Sequence, residues 1–442
     1  MSPPVETVSN DAALPKTADV VVIGGGIIGV AAAYALAKKG HSVALLEKGV
    51  IAGEQSSRNW GWCRQQNRDP REMPLIKLSL DIWDGLAREI GADLGFRRTG
   101  LIYVTTRQED IDRWERWREI AVGYQIQSHM LTAGQAREFT PGSVGDWIGG
   151  VHSPTDGRAE PSKAAPTLAV AAQALGVSIH QGCAARGLET TGGSVSAVIT
   201  EKGVIRTTSV LCAGGAWTSM FCRRHGIPLP QASVRSTSFC TDSAPEVVPG
   251  GLATPEFTIR RRLDNGYTVG LSGRGTLEIT PQGLRYARQF WRTFKRRRAG
   301  LRFSLGRSFL QGPQSLQSWA FDGISPFETT RVLDPAPDPV LVETGLAKLR
   351  ATYPALAGIR MARSWGGLVD SMPDAIPVIS PVERLKGFYL ATGFSGHGFG
   401  IGPAAGRLAA DLVAGDTPVV DPYPYRYRRL VDGTDLGAPG ML

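Results

Sequence analysis

The sequence predicts an α/β chain in which a domain built on a parallel sheet is interleaved with an α+β, mostly antiparallel domain. Three observations predict it. A strand, a glycine turn, an Ala-rich helix and a second strand open the chain between residues 19 and 47. Apolar strands running into glycines return near residues 210 and 388. The stretches between them alternate short strands with hairpin turns.

The opening unit carries the clearest chemistry. Val20-Val21-Val22-Ile23 runs into Gly24-Gly25-Gly26-Ile27-Ile28-Gly29, then a helix, then Ser42–Leu46 ending on Glu47. Gly24, Gly26 and Gly29 make GxGxxG. Gly24 permits a tight turn, Gly26 lets backbone approach a pyrophosphate, and Gly29 lets helix pack closely on strand. The helix start at Ile27 and Ile28 offers N–H groups and a partial positive charge to phosphates. Glu47, 18 residues beyond Gly29, can accept hydrogen bonds from ribose hydroxyls and disfavours a 2′-phosphate. The unit is therefore read as a Rossmann-like dinucleotide site, and alone it does not separate FAD from NAD.

Further along, residues 75–119 alternate helical stretches with the strand Leu101–Val104, and Trp114 and Trp117 read as packing residues on a charged helix. A second Ala-rich helix begins near Pro161. Gly192-Gly193 and Asp264-Asn265-Gly266 signal hairpins. Val210-Leu211-Cys212 meets Ala213-Gly214-Gly215-Ala216-Trp217, and Phe388–Thr392 meets Gly393-Phe394-Ser395-Gly396-His397-Gly398-Phe399-Gly400, with a helix expected from about Pro403 to Val413. Residues 18–74, 150–230 and 355–430 are assigned to the nucleotide-binding domain, and 75–149 and 231–354 to the substrate domain. Residues 1–17 are expected to be a flexible tail and 431–442 a second tail.

Composition narrows the class. The 442 residues are 42% apolar and 20% charged, ordinary for a globular enzyme of two or three domains. Residues 1–18 lack the apolar core of a signal peptide. Five cysteines, with no CxxC and no Cys/His cluster, argue against zinc, iron–sulfur clusters and disulfides, so no metal is expected and a cytoplasmic location is. Much of the net charge of +9 lies between residues 284 and 298, where basic residues interleave with Leu284, Ala287, Trp291 and Phe294 at helical spacing. A solvated surface helix is the preferred reading there, over an acidic partner or peripheral contact with an anionic membrane. Nothing supports nucleic-acid binding.

Four motifs in order resemble the D-amino-acid-oxidase-like family of FAD enzymes, which includes glycine oxidase and monomeric sarcosine oxidase. They are the N-terminal fingerprint followed by Gly53–Gly61, the turn Cys212–Trp217, the segment Trp365–Leu368 with Pro373–Ile379, and Gly393–Phe399. The resemblance implies FAD, held by Gly24, Gly26, Ile27, Ile28, Gly29, Glu47 and Lys48, by Ser56, Ser57, Arg58, Asn59 and Gly61, by Ala213, Gly214 and Trp217, and by Gly393, Gly396, His397, Gly398, Phe399 and Gly400. Non-covalent FAD is expected, because the position of the sarcosine oxidase flavin-linked cysteine is Gly367 here; Cys63 is the alternative. Arg58 either reaches the pocket or, as its loop favours, binds phosphate.

The resemblance further implies hydride transfer to flavin N5 from carbon beside the nitrogen of a secondary amine, N-substituted amino acid or amino acid, then imine hydrolysis. Electrons pass to O₂, or in a dehydrogenase to a quinone or partner protein; a third reading is a non-catalytic FAD-binding subunit of a larger complex. Backbone N–H groups of the turn at Gly396–Gly402 suit the charge that flavin acquires, and His397 either assists or only holds the turn. Both familiar carboxylate clamps are missing, since Val369 stands for the glycine oxidase arginine and Gly400 for the sarcosine oxidase lysine. Arg274 is the preferred substitute, ahead of Arg260 and Arg262, unless the substrate is a plain amine. Asp370 either pairs with a cationic nitrogen or caps the turn that follows it.

Overall fold

The computed structural model describes residues 2–437. Val20–Ile23 lies within a six-stranded sheet, with Val43–Glu47 and Ser178–Gln181 to one side. Ser209–Cys212, Phe388–Thr392 and Val378–Pro381 follow on the other, and only the last pairing is antiparallel. Strands covered on both faces have no solvent side to satisfy, which is why the central ones read as continuous apolar runs. The helix Ile27–Lys38 packs between Pro161–Ala174 and Gly398–Ala414 in one core. Small residues permit that approach: a Cβ on Gly406 would stand 2.5 Å from Ala31 Cβ, and one on Gly29 2.0 Å from the Gly24 oxygen.

A ten-stranded, mostly antiparallel sheet forms the other half. Its order is Leu301–Ser304, Gly275–Glu278, Ala232–Thr241, Tyr267–Gly270, Thr258–Arg261, Gly251–Ala253, Leu101–Thr105, Gly149–Ser153, His129–Thr132, with Met361–Ser371 paired along Ala232–Thr241. Phe239, Ile259, Tyr267 and Val269 form its core beneath the helix Pro339–Thr352. The hairpins expected at residues 192–193 and 264–266 are both present.

Several sequence expectations change here. Of the expected N-terminal tail, residues 2–17 do not run free: Val8 is buried, Glu6 N donates to Ser162 O at 3.0 Å, and Asp11 N donates to Ile179 O at 2.9 Å. Met361–Ser371, assigned to the nucleotide segment, belongs to the large sheet, so the chain crosses back only between Ser371 and Val378. The last long helix starts at Gly398 rather than Pro403. Its glycines are part of the helix because they lie flush on neighbours, with Gly402 against Ile27 and Gly400 against Trp62 and Cys63. The basic stretch breaks at Tyr286 into Pro281–Arg285 and Ala287–Arg297, and the longer helix buries no residue. Of the second tail, residues 438–442 lie outside the described residues. No described helix is long and apolar enough to cross a membrane.

Candidate active site

A cavity of about 1240 Å³ runs from the glycine turn to the large sheet. An ordinary small-molecule site occupies roughly 300–1,000 Å³, so this one has room for a dinucleotide and a second molecule. At its first end Gly24, Gly26, Ile27, Ile28, Glu47 and Lys48 line the wall, with Ser56, Arg58 and Asn59 and, opposite, Ala213, Gly214 and Trp217. At the other end stand Val369, Asp370, Gly396, His397, Gly398 and Phe399.

The first end fits a dinucleotide. Gly24 has φ +110°, and a Cβ there would meet the Ala213 oxygen at 2.4 Å. Gly26 begins the helix with no side-chain cap, and the first-turn N–H groups have no intrahelical acceptor. Ser56 Oγ takes only the first of them, Ile27 N, at 2.9 Å. Glu47 is held in place by Gly25 N at 2.8 Å and Gly49 N at 2.7 Å, and burial raises its carboxyl pKa. It closes the strand where a ribose acceptor belongs.

Other residues assigned to the cofactor serve the wall from behind. Gly29, Ser57, Gly61, Gly393 and Gly400 do not line the cavity. Ser57 Oγ donates to Glu54 O at 3.1 Å, Gly61 (φ +79°) passes close to Ala159 O, and Gly393 passes close to Met372. Gly400 O accepts from Ser79 Oγ at 2.8 Å and Trp83 Nε1 at 3.0 Å. Two cations are also committed elsewhere. Lys48 Nζ donates to Glu54, Thr330 O and Arg331 O and lies 4.5 Å from the Trp217 ring centroid. Arg58 donates to Asp334, to Gly366 O at 2.9 Å and to Ser2 Oγ at 2.7 Å, so its terminal nitrogens tie the strand Met361–Ser371 to two loop segments rather than standing free for a phosphate.

The far turn is built around Asp370. Its buried carboxylate accepts from Gln55 Nε2 and Gln231 Nε2, each at 2.6 Å, and from Gly393 N at 3.0 Å. Its carbonyl accepts from Ser395 N at 2.8 Å. Gly393, Ser395 and Gly396 all have positive φ; glycine adopts it freely, so the strain falls on Ser395 (φ +53°), which the bond from its N–H to Asp370 holds. Asp370 therefore neither caps the Ser371–Pro373 turn nor presents a free carboxylate, and burial raises its pKa. His397 follows, and the helix Gly398–Ala414 starts with no side-chain cap. His397 Nδ1 lies 3.1 Å from Glu72 Oε2. Burial and the nearby Arg68 lower its pKa to about 4, so at neutral pH the ring is uncharged with its proton on Nδ1 toward the carboxylate.

The arginines separate sharply. Arg260 is fully buried, paired with Glu160 at 2.7 and 3.2 Å and donating to Trp60 O, which removes it as a substrate clamp. Arg262 pairs with Asp264 in its own hairpin at 2.8 Å. Arg274 lines the cavity from an exposed loop. Cys63 is wholly buried, off the cavity wall, and burial pushes its thiol pKa up.

Sequence reasoning missed Arg64, Arg68 and Arg297 among the arginines that line the cavity, and the aromatic wall beside them. Trp60, Trp62, Tyr103 and Trp114 succeed one another at ring-centroid separations of 5.7, 6.0 and 6.1 Å, and all four line the cavity. The signal was available. Two tryptophans and two arginines crowd residues 60–68, directly after the loop already assigned to the cofactor.

A strand–glycine–helix unit opening onto a cavity shared with a large antiparallel sheet defines a dinucleotide-dependent oxidoreductase. The chain belongs to the DAO family, FAD dependent oxidoreductase, which matches residues 19–412. The cofactor of this family is FAD. The mouse (Mus musculus) mitochondrial sarcosine dehydrogenase is 26% identical over 424 residues, 94% of this chain and 42% of that protein. Sarcosine oxidase subunit beta of Arthrobacter sp is 26% identical over 428 residues, covering 95% and 92%. Among solved structures, L-amino acid deaminase from Proteus myxofaciens, in complex with anthranilate, superposes with a TM-score of 0.91 at 30% identity, covering 97% and 98%. The chain spans less than half the length of the first curated relatives it matches.

Proposed function

We propose that this chain is an FAD-dependent oxidoreductase that oxidises a C–N bond of an amino acid or N-substituted amino acid. The observation that carries this reading is the continuity of one cavity between the Gly24–Ile28 turn and the Gly396–Phe399 turn, with unpaired arginines beside the second. Relatives that act on sarcosine and L-amino acids support the reaction class.

Bound FAD supplies the acceptor for the hydride leaving the substrate carbon. The chain's own residues do the rest. Gly24, Gly26 and the helix start hold the pyrophosphate, and Glu47 the ribose. The uncapped N–H groups at Gly398 and Phe399 present partial positive charge at the opposite end. His397, neutral and with Nδ1 committed to Glu72, has no N–H left to offer there, so its part is to hold the turn. Asp370 acts through Gly393 and Ser395 as a positioning residue. Trp60, Trp62 and Tyr103 keep water from the reacting carbon, and the substrate amine binds unprotonated, needing no dedicated base.

The test is anaerobic mixing of purified holoenzyme with a panel of amino acids of both chiralities, N-methyl amino acids and plain amines. Bleaching of the flavin by at least one amino acid, and not by plain amines, is expected. A flavin that no compound bleaches overturns the reading. Repeating the productive reaction in air, with oxygen uptake followed, assigns the acceptor as O₂ or a quinone or protein.

A further inference from the structure

The cavity wall carries a charge imbalance that FAD binding leaves in place. Its carboxylates are all engaged. Glu47 accepts from backbone N–H, Glu54 from Lys48 and Trp217, Asp110 from Arg113 and Asp370 from the two glutamines, while Glu278 pairs with Arg235. Arg64, Arg68, Arg274 and Arg297 line the same cavity and make no ion pair among the described residues.

Arg68 is the most demanding of the four. It is 2% exposed, its Nε donates to Arg64 O at 3.1 Å, and its buried Nη1 has no acceptor. Arg64 donates to Gln66 O and lies against the Tyr103 hydroxyl, with no carboxylate among its described partners. Burial first, and the nearby Arg64 second, lower the pKa of Arg68 to about 10 and lower that of Arg297. Two carboxylates stand behind the cluster without pairing to it: Glu72 holds His397, and Asp156 accepts from Gln65 N and Gln66 N. They soften the field but occupy none of the forks. Buried donors without acceptors are costly, and a guanidinium fork is shaped for a carboxylate. One carboxylate can bridge Arg64 and Arg68, which sit on one loop. It leaves Arg297, from the helix Ala287–Arg297, repelled by Arg64 and unmatched.

Resting on the oxidation proposed above, we infer that the substrate carries two anionic groups: an amino or imino dicarboxylate, one carboxylate held by Arg64 and Arg68 and the second by Arg297 and Arg274. The second group selects among substrates and takes no part in the bond changes.

Two measurements on the holoenzyme test this. In the first, succinate and propionate, neither oxidisable as an amine, are titrated while the bound-flavin spectrum and the heat of binding are followed. Succinate is expected to bind on the order of 100-fold tighter, the worth of one charged hydrogen-bonding group. Arg297→Gln should remove most of that ratio and leave propionate unchanged. In the second, aspartate and glutamate are compared with asparagine and glutamine for anaerobic flavin reduction, with a similar preference in kcat/KM expected for the acids. Equal binding of succinate and propionate, or amides that match acids within about threefold, overturns the inference. If no amine bleaches the flavin, the proposed reaction falls, and the succinate-to-propionate ratio still decides whether the site takes two carboxylates.

Discussion

Asp156 lies beneath the loop that carries Arg64 and Arg68, and its titration should be visible in the stability of the whole protein. Its Oδ1 accepts from Gln65 N at 2.6 Å and its Oδ2 from Gln66 N at 3.3 Å. Burial pushes its pKa from 3.8 to about 6, against the opposing pull of those bonds and of Arg64. At about 1.4 kcal/mol per pH unit, that rise makes the ionised form cost about 3 kcal/mol of stability. The sign follows from which state holds the proton. Between pH 4 and 6 the native protein keeps it and the unfolded chain has released it, so stability falls as pH rises through that window and levels off above it. Asp156→Asn cannot titrate. Whatever its fixed offset, its stability relative to wild type should therefore rise by about 3 kcal/mol between pH 4 and pH 7. Urea denaturation of both FAD-loaded proteins at unit pH intervals gives the difference directly. Parallel curves across the window would refute the argument, because they would mean that Asp156 ionises as freely in the fold as in the open chain.

Other perturbations address the two halves of the cavity and the seam between them. Gly24→Ala puts a Cβ 2.4 Å from a backbone oxygen at φ +110°, so the protein should purify with little flavin; normal flavin content per chain would count against the assigned turn. Glu160→Gln leaves the fully buried Arg260 uncompensated and should cost about 3–5 kcal/mol in denaturant unfolding, whereas a loss under about 1 kcal/mol would show the pair to be dispensable. Asp370→Asn replaces an acceptor of three N–H groups with a side chain that must also donate. Flavin affinity, measured by equilibrium dialysis, should fall on the order of tenfold to 100-fold, and unchanged affinity would detach Asp370 from the turn.

What could be read in the sequence follows from how local the causes are. The glycine turn, its helix and Glu47 lie within 29 residues, and each is dictated by a backbone need that a residue type announces. The hairpin at Asp264-Asn265-Gly266 is equally local, with Asn265 at φ +62°. Asp370 is the opposite case. Its meaning depends on Gln55 and Gln231, which are 315 and 139 residues away, and an isolated Asp before Ser-Met-Pro reads as a turn cap. Sequence favours Arg274 over Arg260 because it sits in a flexible glycine turn after a strand expected to wall the pocket, but it gives no sign of Glu160, 100 residues from Arg260, which takes that arginine into the interior. The basic stretch at 284–298 hid Arg297, because a run of seven cations gives no sign of which of them line a cavity.

The missing lysine at Gly400 and the unexpected arginines at 64 and 68 have one physical cause. A Cβ on Gly400 would meet Trp62 O at 3.1 Å, Cys63 Cα at 3.2 Å and Arg64 N at 3.5 Å. The backbone that leads into Arg64 therefore occupies the space through which a side chain at position 400 would have to leave its helix. Ser79 and Trp83 fix the same point from the other side through the Gly400 carbonyl, so the helix cannot retreat to make room. A cation on this helix and an arginine-bearing loop pressed against it are thus alternative ways to place positive charge beside the same turn. This chain uses the loop. A loop can carry two guanidinium groups within five residues where one helical position carries one ammonium, and the planar forks suit carboxylates better than a point charge does. Glycine at position 400 is what gives the loop that access, and under the two-carboxylate proposal recognition rests on a cluster rather than a single clamp.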